Sequence, residues 1–366
     1  MKCLRSVLVL TLTAVLTGLV CPALAQQPMQ QPDMTIDGQV RSATIDNLIK
    51  LLNENYIFPE TATKVERSLR EKMGAKGYDN ITSASKFAET LTQDVQSITH
   101  DKHLRVQYSS RPVPPETRDQ GPSPEEIAQF REFARVTNCG FEKVERLSGN
   151  IGYLDLRQFA PAEMCGDTVA AAMNFLANAD GVIIDIRHNG GGDPAEVALI
   201  SSYLFDAEPV HLNDLYFRKE DSTHQWWTLP YVPGKRVGAT KPVYVLTSNR
   251  TFSAAEEFTY NLKNLKRATI VGETTGGGAN PGGRRRLGEH FAVFVPTGRA
   301  INPITKTNWE GVGVKPDVEV SADSALTVAH LAALKKTVAG ITDDMRKQAV
   351  QQEIEKLQKE LPGGEK

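Results

Sequence analysis

Between residues 150 and 271 the chain repeats one pattern that few folds can satisfy: a short apolar run, a break, and a helical stretch. The apolar runs are Asn150 to Leu156, Gly181 to Ile186, Pro242 to Leu246 and Ala268 to Val271. Helical segments from about Pro161 to Asn178, Pro194 to Phe205 and Ser253 to Leu265 alternate with them. Strands that alternate with helices form α/β units around a largely parallel sheet. Val182 to Ile186 and Val243 to Leu246 lack polar alternation, as strands covered by helices on both faces must. Sites on such sheets lie beyond the carboxyl ends of the strands, which directs attention to the loops Arg187 to Asp193 and Thr247 to Phe252.

Upstream the periodicity is helical. Ile45, Leu48, Ile49 and Leu52, then Val65, Leu69 and Met73, then Phe87, Leu91, Val95 and Ile98 form three apolar stripes, predicting a small helical domain over residues 40–99. Pro112, Pro114, Pro115, Pro122 and Pro124 mark a loop, closed by Ser123-Pro124-Glu125-Glu126 as the start of a helix running to about Val136. Residues 26–39 are Gln- and Pro-rich and read as a flexible lead-in.

Lys2 and Arg5, the apolar stretch Val7 to Val20, and Ala23-Leu24-Ala25 have the order of a signal peptide over residues 1–25, so the expected location is exported, periplasmic or secreted. Its removal would leave no integral membrane segment, 40 basic and 44 acidic residues, and two cysteines, Cys139 and Cys165. Those two can form one disulfide in an oxidising compartment. A net charge of -2 for the whole chain argues against nucleic acid as a partner.

Individually, the chemical candidates have ordinary explanations. Asp185-Ile-Arg-His-Asn-Gly-Gly-Gly-Asp193 can present backbone amides to an anion, or can simply be a tight turn. It lacks the ending of a phosphate-binding P-loop and the spacing of a dinucleotide fingerprint. Ser253 stands at a helix start beyond a strand, where helix amides can stabilise an oxyanion, but Ser253-Ala-Ala-Glu256 is equally a capping box. His103 ends the third amphipathic helix at a domain junction, suited to a base or to plain surface exposure. A zinc site on His100 and His103 lacks further Cys or His ligands nearby, so no metal or cofactor is expected. Glu310 precedes a glycine-rich turn.

Together they are more specific. The segments DIRHNGGG, TSNRTFSAAEEF, VGETTGGGANPG and WEGVGVKPDVEV occur in that order, and over about residues 145–322 the chain resembles the tail-specific, or carboxyl-terminal processing, family of S41-type serine peptidases. The helical N-terminal region is similar to that of the branch containing interphotoreceptor retinoid-binding protein and the tricorn core protease. The resemblance implies an α/β fold: a mixed sheet with flanking helices, a ClpP/crotonase-like catalytic core, preceded by the small helical domain. The division it implies is a catalytic domain at 100–322 and a C-terminal helical tail at 323–366. It also implies an exported serine endopeptidase acting on protein or peptide substrates, with Ser253 as nucleophile, His103 as base and Glu310 as orienting acid. Amides of Gly191 or Gly192 and Ala254 would form the oxyanion hole. The Ser-Lys arrangement of the processing branch is disfavoured because no lysine lies between Lys266 and Lys306, and Lys263 and Lys266 sit on the nucleophile's own helix. Lys102 stands where tricorn-like enzymes have a serine. The rival implied by the retinoid-binding relative is a non-catalytic module of the same fold holding an apolar ligand or peptide.

Overall fold

In the computed structural model, which describes residues 31–115 and 123–361, the runs Gly181–Asp185 and Val243–Thr247 lie side by side and parallel at the centre of a six-stranded sheet. In chain order the elements are α1 (Gly38–Asn55), α2 (Pro59–Gly74), α3 (Ala84–Thr99), β1 (Arg105–Tyr108), α4 (Pro124–Val136), β2 (Phe141–Leu147) and β3 (Ile151–Leu156). Then come α5 (Ala162–Leu176), β4 (Gly181–Asp185), α6 (Pro194–Leu204), β5 (His211–Phe217), β6 (Ser222–Trp227), β7 (Val243–Thr247), α7 (Ala254–Asn264) and β8 (Thr269–Gly272). The chain finishes with β9 (Gly282–Arg286), β10 (Phe291–Pro296), β11 (Gly298–Ile301), β12 (Val318–Glu319), α8 (Ala322–Thr337) and α9 (Asp344–Glu360). The expected targeting segment at 1–25, with Cys3 and Cys21, lies outside the described residues.

The main sheet runs β12-β8-β7-β4-β3-β2, parallel except for β2, which returns antiparallel beside β3. Its centre is buried on both faces, which is why these strands lack polar alternation. Val182, Ile184, Val243 and Val245 face a core shared with α5, α6 and α7; Ile183, Tyr244 and Leu246 face Ala325, Ala329, Ala333 and Leu334 of α8. The α/β architecture expected from the alternation is therefore present, with a mixed rather than purely parallel sheet.

A second layer carries the N-terminal helices. Ile45, Leu48, Leu52, Val65, Leu69, Phe87, Leu91 and Val95 pack against Phe291, Val293 and Val295 of β10 in the three-stranded sheet β1-β10-β9. A strand from late in the chain thus completes the core of the early helices. This places the junction between α3 and β1 against the loop that leaves β7.

Cys139 and Cys165 form a disulfide with a Cα–Cα separation of 5.8 Å, joining the segment after α4 to α5. Closing a loop with a sequence separation of 26 residues removes denatured-state entropy equivalent to about 3.5 kcal/mol in the chain-entropy account. Alkylation of the folded, non-reduced protein should modify neither thiol, and reduction should lower its melting temperature; two adducts without reductant would show the pair open.

Candidate active site

Two neighbouring strand ends create the site. The loops leaving β4 and β7 are tied together by the Phe252 amide donating to the Asn189 carbonyl (3.1 Å) and the Thr251 hydroxyl donating to the Ile186 carbonyl (2.9 Å). Asn189 is fully buried; its Oδ1 accepts from the Gly191 amide (2.8 Å) and its Nδ2 donates to the Leu156 carbonyl (3.1 Å). Gly191 and Gly192 have φ of 109° and 142°. A Cβ on Gly191 would lie 2.7 Å from Ser253 Cβ, and one on Gly192 1.7 Å from the Phe159 carbonyl oxygen. Only glycine lets this loop close against Ser253. With the Gly191 N–H taken by Asn189, the donors left at this edge are the exposed Gly192 and the Ala254 amide, which borders Gly191.

Ser253 departs from ordinary capping geometry. Its backbone sits at φ 57°, ψ -123°, whereas an N-cap residue is normally extended. For a non-glycine residue such a conformation costs about 1–3 kcal/mol and persists only when its surroundings enforce it. A strained turn between strand and helix is one setting that can expose a serine hydroxyl at a sheet edge.

The enforcement comes from Glu256, which is fully buried. Its Oε2 accepts from the amides of Ser253 (2.9 Å) and Gly278 (2.8 Å), and its Oε1 from the Thr275 hydroxyl (2.5 Å) and the Gly277 amide (2.6 Å). The acid that reads as half of a capping box also pins the Thr275–Gly278 loop beside the elbow. By contrast, the Ser248 hydroxyl is buried and donates to the Arg187 carbonyl (2.5 Å), a structural role.

His103 reaches the same place from the N-terminal layer. α3 ends with His100 in the left-handed conformation (φ 55°), and the buried Asp101 then accepts the His103 amide on Oδ1 (3.0 Å), an Asx turn that aims the imidazole. The ring lies against Phe252 (4.6 Å between centroids) and Phe294 (5.4 Å). Gly278 edges this contact so closely that a Cβ there would meet Phe252 Cζ at 2.2 Å and His103 Cε1 at 2.8 Å. Burial, with the Arg105 charge adding to it, pulls the imidazole down to about 4, so the ring is a neutral base at pH 7.

Glu310 arrives on the loop after Trp309, whose buried indole donates to the Gly278 carbonyl (2.8 Å). Its Oε2 accepts the Ala279 amide (2.5 Å), while its Oε1, like His103 Nδ1, is buried without a partner among the described residues. One ligating atom each of Asp101, His103 and Glu310 lies within 4.8 Å of the others. Desolvation first, and the nearby Asp101 second, push Glu310 up to about 8. Burial also raises Asp101, but there the Asn280 amide (2.9 Å) and the Tyr56 hydroxyl (3.3 Å) on Oδ2, together with the His103 amide, oppose it. Of two close acids, the one with more donors keeps the charge and the other keeps the proton. Because Asp101 has both oxygens committed to donors, the cluster is built to share a proton rather than to surround a cation.

The structure therefore gathers Ser253, Gly191, Gly192 and Ala254 on one side and His103 with Glu310 on the other, joined through Phe252 and the Gly276–Gly278 loop. Lys102 points its amine to the Gly276 carbonyl (2.5 Å). Lys263, at the far end of α7, is held by the Lys315 carbonyl (2.5 Å) and Asp317 (2.9 Å). Sequence reasoning missed Glu256 as a hub, and Tyr56, Asp101 and Asn280 as the polar support of the histidine. Asn280 lies within a recognisable glycine-rich segment, but nothing in the local sequence of Tyr56 marks it.

Comparisons with known proteins show similarity in sequence and in fold. Residues 150–320 match the model of peptidase family S41, and residues 38–136 match that of the N-terminal domain of Peptidase S41 in eukaryotic IRBP. The chain is 29% identical over 184 residues to a carboxy-terminal-processing protease of Bartonella bacilliformis, covering 48% of this chain and 40% of that protein. It is 29% identical over 178 residues to the chloroplastic carboxyl-terminal-processing peptidase 1 of Arabidopsis thaliana, covering 48% and 35%. The chain thus spans 40% or less of the length of these curated relatives. In fold it is similar to a candidate peptidase from Parabacteroides merdae (TM-score 0.57, 18% identity, 82% of this chain and 99% of that one). It is likewise similar to a candidate S41 protease from Bacteroides fragilis (TM-score 0.52, 13% identity, 91% and 100%).

The two shifted groups act on stability with opposite sign. His103 binds fewer protons folded than unfolded between its depressed value of about 4 and the ordinary value of 6.5, so its contribution is complete above that window and is lost as pH falls through it. Glu310 binds more protons folded between 4.5 and about 8, so its contribution is lost as pH rises. Denaturant titrations across pH should show His103→Gln flattening the acid-side loss and Glu310→Gln flattening the alkaline-side loss; unchanged slopes in both variants would mean the groups titrate normally.

Proposed function

The chain belongs to peptidase family S41, and from that premise we propose that it is an exported serine endopeptidase working through Ser253, His103 and Glu310. The observation that carries this reading is the strained Ser253 backbone, closed against a glycine loop and next in sequence to Phe252, on whose ring the half-buried His103 imidazole lies. A cap has no need of strain, and a binding module has no need of a neutral base stacked beside it.

Ser253 Oγ attacks the scissile carbonyl carbon as His103 takes its proton. The resulting oxyanion accepts from the Ala254 amide and from the Gly192 amide, with the N-terminus of α7 behind it. The imidazolium then gives the proton to the leaving amine, the C–N bond breaks, and water repeats the sequence to release the acyl group. Glu310 has a buried oxygen, Oε1, within the histidine cluster; accepting the Nδ1–H of His103 there would fix the tautomer that leaves the other ring nitrogen free for the serine proton and would hold the imidazole through the cycle. The substrate class follows from acyl-transfer chemistry and from the family: a protein or peptide. The disulfide and the signal-like N-terminus support export.

A fluorophosphonate probe should label the wild type and fail on Ser253→Ala without loss of the fold. His103→Ala should lower kcat/KM by about 10² or more, Glu310→Gln by less, and Lys263→Ala should be nearly silent. Because burial holds the free imidazole well below its usual 6.5, the acid limb of kcat/KM should fall below pH 6. An active His103→Ala enzyme would return the chemistry to another base.

A further inference from the structure

A cavity of about 740 Å³ opens beside the glycine loop. α4 forms one wall with Phe130 and Phe133, Phe159 and Pro161 contribute from the segment between β3 and α5, and Gly192 and Asp193 complete it from the site itself. Resting on the peptidase reading above, we propose that this cavity receives an apolar side chain of the substrate on the acyl side of the scissile bond, with Phe130 and Phe133 as specificity-determining residues.

Three observations lead there. The first is that α4 has an apolar face that no described residue covers: Ala134 is buried, but Phe130 and Phe133 remain 54% and 50% exposed. Aromatic pairs left this open over a cavity mark a surface meant to be covered. The second is chemical. Asp193, the acid among the lining residues, already accepts the Ala195 amide at 2.7 Å as the cap of α6, and the remaining polar side chains are uncharged glutamines, so an apolar guest suits the cavity better than a basic or acidic one.

The third is continuity with the reacting centre, and it selects the occupant. The Phe159 amide donates to the Gly191 carbonyl (3.0 Å), and the Asp193 amide donates to the Phe159 carbonyl (2.8 Å). Cavity floor and glycine loop are therefore one hydrogen-bonded unit, and Gly191 abuts Ser253. A side chain seated in the cavity brings its own carbonyl to the loop, which only a peptide substrate does. The disulfide acquires a role in the same picture. Cys139, just beyond α4, is joined to Cys165 of α5, the helix that starts after Pro161, so the wall and the floor are covalently linked and the width of the cavity is set.

The test uses the full chain and peptides varied at each acyl-side position. Wild type should favour Leu or Phe over Asp at one acyl-side position by about 10-fold or more. Phe130→Ala/Phe133→Ala should lower kcat/KM for those peptides about 10-fold, mainly through KM, and change the Ala peptide by less than about 3-fold. Phe130→Leu/Phe133→Leu should restore most of the preference, and reduction of the disulfide should weaken it. The fluorophosphonate labelling rate, which reports the activated serine and needs no side chain in the cavity, should stay the same in all these variants, and both residues are exposed enough that the fold survives. An unchanged preference in the alanine variant with labelling intact would overturn the proposal, as would a preference confined to the leaving-group side. A dimer that the alanine variant abolishes without moving the preference would assign the face to self-association instead. If wild type is not labelled at all, the peptidase reading fails and this inference with it.

Discussion

Four hydrogen bonds to one buried carboxyl group hold the site in shape. Glu256 accepts from Ser253, Thr275, Gly277 and Gly278, donors spread over 26 residues of sequence from the elbow to the loop beneath His103. Burying a carboxyl group is costly unless donors satisfy it, and four donors make the cost worth bearing only in one arrangement of the chain. That arrangement stabilises a serine backbone which would otherwise relax, so the strain at φ 57° is sustained from outside the strained residue. Removing Glu256 would leave three amides and a hydroxyl without their acceptor at the point where the loops must be most exact.

The histidine depends on a different layer of the molecule. Tyr56 at the end of the first helix and Asn280 in the glycine-rich segment meet on Asp101 across sequence separations of 45 and 179 residues. These bonds form only because α1 to α3 share their core with β10. The N-terminal helices thus do more than cover a sheet: their packing determines where the imidazole stands relative to a serine that is built by β7 and α7. Desolvation from the same packing keeps the ring neutral, so placement and protonation state have one cause.

The sequence was most readable where a pattern repeats and least where partners are remote. β3, β4, β7 and β8 stand out as unbroken apolar runs, and α5, α6 and α7 follow from their punctuation. β5, β6 and β9 to β11 give little signal: β9 is Gly-Gly-Arg-Arg-Arg, which becomes a strand only because β10 pairs with it. The order of four motifs carried the reading of Ser253 and Glu310, and the family resemblance extended it to His103, which lies outside them, but the oxyanion candidates were less well resolved, since the Gly191 amide is occupied by Asn189, a bond that no spacing rule anticipates. Ser253 itself was ambiguous for a sound reason. A capping box and a nucleophile elbow share the same Ser-x-x-Glu spelling, and they differ in backbone torsion, which a sequence does not display.

Behind the elbow the helices meet a further electrostatic requirement. α6 and α7 both begin at the site, and besides Glu256 each buries one further acid in its first turn: burial pushes Glu196 up to about 9 and Glu257 up to about 8. Both are therefore protonated at neutral pH. An ionised carboxylate in the first turn stabilises a helix by neutralising the positive end of its dipole, which is the usual reason for finding acids there. At these two positions that neutralisation would oppose the developing oxyanion, for which the same positive end is the stabilising partner. Removing water from the two carboxyl groups keeps them as neutral packing elements, so they add no charge to the carboxyl oxygens that Asp193 and Glu256 already set against the amides at these helix starts. The low-dielectric interior that makes these residues expensive to ionise is also what strengthens the field of the helix ends at Ser253. Core packing and the electrostatics of the candidate site are in this sense one property of the fold.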